Sequence, residues 1–125
     1  MKHVFNLVDG VLLNGELHTK VTLFPLTREH YDAVELLVDQ QINHLKFQPN
    51  FKLVNDSHSK ALRGHMLLNE CAATSISHIG DVEVSMVFND FCELNISAQD
   101  WVVILTANLA VTECYADSDS YVIKA

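Results

Sequence analysis

The chain opens with two apolar alternations separated by polar interruptions, LVDGVLLNGELHTKVTLFPLT from Leu7 to Thr27. Two dipeptides within it, Asp9-Gly10 and Asn14-Gly15, suit a tight hairpin, because a type I′ turn needs positive φ at both central residues. Turning at Asn14-Gly15 pairs Leu12 with Leu17, Val8 with Val21 and Asn6 with Leu23 on one face. The other face then pairs Leu13 with Glu16, Val11 with His18, and Asp9 with Lys20, an acid against a base. Turning at Asp9-Gly10 pairs Leu7 with Leu12 but soon sets Asn6 against Leu13 and Phe5 against Asn14. It also wastes the alternation Leu17, Thr19, Val21, Leu23. Asn14-Gly15 is therefore the predicted turn, with Gly10 a bulge or bend in the first strand.

The spacing then changes from two to that of a helix. Tyr31, Val34, Leu37, Val38 and Leu45 predict a first helix, with Thr27 as its N-cap, Glu29 and Asp32 near its positive end, and a stop near Phe47 ahead of Pro49. QPNFKLVNDS reads as a connector that could hold a short extended piece at Phe51-Lys52-Leu53. A second helix is predicted from Ser57 or Ser59 to Ser77, with Leu62, Met66, Cys71, Ala73 and Ile76 on its apolar surface and Gly80 as a left-handed C-cap. VEVSMVFNDFCELN carries both patterns and reads as a short, partly helical connector. Ser97 followed by Asp100 resembles a capping box that opens a last helix, AQDWVVILTANLAVTECY. That helix is apolar on most sides, so it is either central to the fold or shared with another chain. The predicted class is α+β, an N-terminal antiparallel β-hairpin packed against about three α-helices. Residues 1–115 form one globular domain and 116–125 a C-terminal tail whose Tyr121-Val122-Ile123 could dock.

Composition narrows the function classes. The chain has 125 residues, nearly half of them apolar, and a formal net charge of -8. Nucleic acid and anionic membranes both call for clustered Lys and Arg, so neither is predicted as a partner; a basic or apolar protein surface is. The start MKHVFNLVDG reaches Asp9 before any long apolar run, so no signal peptide is predicted, and no apolar stretch is long enough to span a bilayer. Cys71, Cys92 and Cys114 are an odd number without paired spacing and read as reduced core thiols, which with the missing signal predicts a cytoplasmic location.

Candidate chemistry is sparse. His58 and His65 are seven apart, as are Cys71 and His78, whereas chelating pairs on a helix sit three or four apart. No neighbouring group marks a cysteine as activated. Asp117 and Asp119 lie in the tail, and the four glycines form no phosphate-binding loop. The reading is a protein without catalytic residue, cofactor or metal. Trp101, the only tryptophan, is either a core anchor or an interface anchor.

The opening LVDGVLLNGELHTKVTLFPLTREHYDAV resembles that of the small tail-assembly chaperone proteins of tailed bacteriophages and Mu-like prophages. The likeness is carried by Asp9, Gly10, Gly15, His18, Val21, Leu23, Leu26, Thr27 and Asp32. Ile79, Gly80 and Asp81 match the family's helix stop, and Leu94, Ser97, Asp100, Ile104 and Leu105 match the opening of its last helix. Phe24 stands where such proteins often have Arg, and the segment after Tyr115 has no counterpart. The resemblance implies a non-enzymatic protein of the bacterial host cytoplasm. It implies binding of the tape-measure protein during tail morphogenesis, with the tail-tube protein as a second candidate partner. The alternative is a minor tail or baseplate component of the virion. The contact surface expected on this reading is Trp101, Ile104 and Leu105 with the hairpin face Val8, Leu17 and Val21; a homo-oligomer is left open.

Overall fold

The computed structural model describes residues 2–46 and 56–118, with side chains for 2–45 and 60–112. The fold is α+β. Strands β1 (His3–Leu13) and β2 (Glu16–Leu23) form the hairpin, followed by α1 (Arg28–Lys46), α2 (Asp56–Ser75), β3 (Ile76–Ile79), β4 (Val82–Glu83), α3 (Phe88–Glu93) and α4 (Ala98–Ser118). The strands make one antiparallel sheet in the order β1-β2-β3-β4. Helices α2 and α4 lie against it, and Val21, Leu23, Ala73, Ile76, Ile79, Phe91 and Ile104 form the centre of the core. The opposite face carries the row Val4, Thr22, His78 and Glu83 and stays partly or fully open to solvent, as one face of an antiparallel sheet commonly does.

The turn is at Asn14-Gly15, with φ of 53° and 81°. Near it the expected pairs Leu12–Leu17, Leu13–Glu16 and Val11–His18 form. Toward the hairpin's base they do not. Asn6 pairs with Lys20, Phe5 with Val21 and His3 with Leu23, so Leu7, Val8, Asp9 and Gly10 all bulge out opposite Thr19. The excess of three residues is odd, and an odd shift turns side chains to the other face. The expected pairs Val8–Val21, Asn6–Leu23 and Asp9–Lys20 are therefore absent. Leu7 and Val11 enter the core instead, and Val8 faces solvent.

Helix α1 begins one residue after Thr27, whose hydroxyl and N–H both meet His30 Nδ1, at 2.9 and 3.0 Å. It packs on α2 and is tied to it by Arg63, whose guanidinium donates to Asp39 at 2.8 Å and to Glu35 at 3.3 Å. That hydrogen bond, reinforced by charge, holds the Asp39 carboxyl below its usual range. The support it gives is present at neutral pH and withdrawn as acid protonates Asp39. The Tyr31 hydroxyl of α1 is half-buried, and burial raises its pKa above the usual phenol value. The predicted end of α1 at Phe47 and the extended piece at Phe51-Lys52-Leu53 lie outside the described residues.

Two expectations are corrected here. Helix α2 stops at Ser75 rather than Ser77, and Gly80 does not cap it. Gly80, at φ 58°, makes the turn of a second hairpin in which Ile79 pairs with Val82 and His78 with Glu83. The ambiguous stretch resolves into β4 and then the short α3. Asn95 ends α3 at φ 58°, and the bonds Ile96 N–H to Phe91 O and Asn95 N–H to Cys92 O make a Schellman closure. Helix α4 continues to Ser118, beyond the Tyr115 expected. The tail's Tyr121-Val122-Ile123 lies outside the described residues.

Candidate functional site

Among the described residues, a specific polar construction joins α4 to the bulge of β1. Ser97 Oγ accepts the Asp100 N–H at 3.1 Å, the N-cap half of the expected capping box. The Asp100 carboxylate does not complete the box. It turns to β1, where Oδ1 accepts the Val8 N–H at 2.6 Å and Oδ2 accepts the Gly10 N–H at 2.8 Å. Both oxygens also receive the Asp9 N–H, at 3.2 and 3.1 Å. Asp100 is fully buried. A bulge of this size leaves consecutive amides without ladder partners, and a buried carboxylate is the acceptor that satisfies them. Gly10 is required beside it: its φ is 90°, and a Cβ there would come within 2.9 Å of the His18 carbonyl oxygen.

Pinned in this way, the hairpin presents large aliphatic side chains to solvent. Leu12 and Leu17 face each other across the strands, 59 % and 61 % exposed, with Val8 exposed in the bulge and Val4 exposed at the base. Leu17 lies over Gly10. Asp9, Glu16 and Lys20 stand exposed on the same hairpin. Such an array is the kind of surface that another polypeptide covers.

The expected contact residues divide. Val8 and Leu17 are on this surface. Val21 and Ile104 are fully buried, and Trp101 nearly so, so these three belong to the core and not to an accessible face. Leu105 is half-buried on α4. The Trp101 ring packs against Phe88 and Phe91, at centroid distances of 4.9 and 5.5 Å, and its Nε1–H donates to Asn69 Oδ1 at 3.0 Å. Of its two readings, core anchor is the one realised. Leu12, not among the expected contact residues, is as exposed as Leu17, with which it pairs.

Titratable groups elsewhere serve the fold. Buried Glu70 accepts the Phe88 N–H at 2.9 Å, which positions α3 against α2. An open cleft of about 440 Å³ brings His30, Ser77 and Glu83 together with Phe24. There His30 Nδ1 is engaged by Thr27, and Ser77 Oγ lies 3.3 Å from the Thr22 carbonyl and 2.8 Å from His78 Nδ1. Among the described residues no group of three or more His, Cys, Asp or Glu side chains is placed to hold a metal ion. Cys71 is half-buried on α2, and Cys92 is exposed on α3. Burial, followed by the charges of Glu35 and Glu70, pushes the Cys71 thiol up to about 11. Since the thiolate is the reacting form, Cys71 should be alkylated at neutral pH at least about tenfold more slowly than Cys92. Peptide mass spectrometry of a maleimide time course measures this; equal rates would contradict the placement of Cys71.

No family model, curated protein or solved structure matches this chain. Among the described residues no helix is long and apolar enough to cross a membrane.

Proposed function

We propose that this protein is a non-enzymatic tail-assembly chaperone of a bacteriophage or prophage, which binds the tape-measure protein in the cytoplasm of the bacterial host during tail morphogenesis. The observation that carries the reading is the solvent-facing pair Leu12–Leu17 on a hairpin held rigid from behind by Asp100. A rigid apolar surface loses little conformational entropy when it is covered, and is suited to the aliphatic stripe of an amphipathic helix. The exposed acids Asp9 and Glu16 beside it favour a partner whose stripe is flanked by Lys or Arg. The ordered likeness of the opening segment and of the Leu94–Leu105 segment to small tail-assembly proteins supplies the partner's identity on this reading.

Co-expression tests it. With the tape-measure protein encoded beside it, this chain should raise the soluble yield of that protein several-fold, and the two should elute together. A tape-measure protein that stays insoluble, with no joint elution, would sink the reading. The other reading, a minor tail or baseplate component, differs in one outcome: such a protein persists in purified particles, whereas a chaperone is absent from them.

A further inference from the structure

The two edges of the sheet are built differently. Strand β4 closes one side with two residues, Val82–Glu83, too few for another strand to pair with. Strand β1 closes the other side with eleven. Its sequence HVFNLVDGVLL holds one acid, Asp9, and no lysine, arginine or proline, and Val4, Val8 and Leu12 are exposed along it. A long apolar edge strand of that composition is a template for a strand of another chain. Among the described residues no strand pairs with its outer side.

The bulge is what interrupts this edge. In an unbroken strand of an antiparallel sheet, amides along the chain are offered to the free edge at regular intervals. Here three successive amides, those of Val8, Asp9 and Gly10, converge on one buried carboxylate, that of Asp100, at 2.6 to 3.2 Å. The paired parts of β1 are thereby cut to His3–Asn6 and Val11–Leu13. The competing arrangement is the unbroken register, with Val8 opposite Val21 and Asp9 opposite Lys20, which the local alternation favours and which runs straight through 7–10.

We propose that Asp100 guards the free edge of the sheet. By gathering the amides of residues 8–10 it holds β1 in a broken register that cannot accept a further strand. Releasing them lets β1 pair with β1 of a second copy, since identical apolar strands stack in register. The inference stands apart from the tape-measure reading, because it concerns the backbone of β1 and is tested on this chain alone.

The test follows the purified full chain at about 50 μM, without denaturant, by thioflavin fluorescence and light scattering. The wild type should form no thioflavin-positive assemblies. Asp100→Ala should form them at least about tenfold faster than Ile104→Ala, a cavity variant on the same helix that keeps the carboxylate. The two are compared at temperatures where urea unfolding gives them equal stability. Should the alanine chain not fold, Asp100→Asn, which keeps one acceptor oxygen, enters the same comparison with the same expected order. Val8→Lys, at an exposed position of the edge, should slow assembly of the Asp100 variant at least about tenfold. Folded Asp100 variants that assemble no faster than Ile104→Ala, or that assemble as fast with Val8→Lys as without it, would overturn the proposal.

Discussion

Asp100→Ala is expected to lower stability by about 3–5 kcal/mol, the lower part of what three buried amides left without an acceptor cost at about 1–3 kcal/mol each. The substitution removes the acceptor of the Val8, Asp9 and Gly10 amides at once. Water cannot freely replace it, since Asp100 is fully buried. At roughly 3–5 °C per kcal/mol for a domain of this size, the melting temperature should fall by about 10–20 °C. Asp100→Asn keeps the shape but exchanges one acceptor for a donor that faces backbone N–H groups, and should cost less, about 2–3 kcal/mol. Urea unfolding followed by circular dichroism reads both. An alanine variant within about 1 kcal/mol of wild type would mean that the bulge is satisfied in some other way.

The second large effect is at Gly10. An alanine there meets two obstacles: a left-handed φ of 90°, and a backbone oxygen, that of His18, 2.9 Å from the new carbon. A backbone atom yields far less readily than the end of a side chain, so Gly10→Ala should cost about 2–4 kcal/mol. Gly15→Ala is the control. Its φ is 81° but nothing lies within 4 Å, so only the backbone strain of about 1–2 kcal/mol remains. The Asp100→Ala/Gly10→Ala double variant should lose less than the two single losses added together, by about 1 kcal/mol or more, because the bulge that makes Gly10 necessary is itself held by Asp100. Strict additivity in the same urea experiment would contradict that coupling.

What was legible in the sequence follows the range of the physics involved. Asn14-Gly15 declares its turn because the need for positive φ is local to those two residues. Thr27 and Ser97 announce their helices for the same reason. The bulge is different: Gly10 marks its place, but its size is set by a carboxylate some ninety positions away, and no local pattern reveals that three amides will share it. Gly80 was misplaced because a left-handed glycine serves a helix stop and a hairpin turn equally well. Only pairing with β2 decides that Ile76–Ile79 is a strand.

The candidate site was half legible for a related reason. Hydrophobicity does not rank the sides of α4 when nearly every side is apolar. Its orientation is fixed by two polar anchors, Asp100 on the β1 amides and Trp101 Nε1–H on Asn69, which turn Trp101 and Ile104 inward and leave Val102 and Leu109 outside. On the hairpin, the odd shift of the bulge turned Leu7 and Val11 of β1 into the core and left Val8 on the surface.

On the proposed function, the hairpin's exposed Leu12 and Leu17 bind the tape-measure protein. The most direct measurement compares the wild type with Leu12→Lys/Leu17→Lys in co-expression with the tape-measure protein. The variant should unfold in urea at the wild-type midpoint, since both side chains are largely exposed. The account predicts that it leaves the tape-measure protein insoluble and weakens the purified complex by a factor of about a hundred or more. A variant of unchanged stability that solubilises and co-elutes as the wild type does would contradict it.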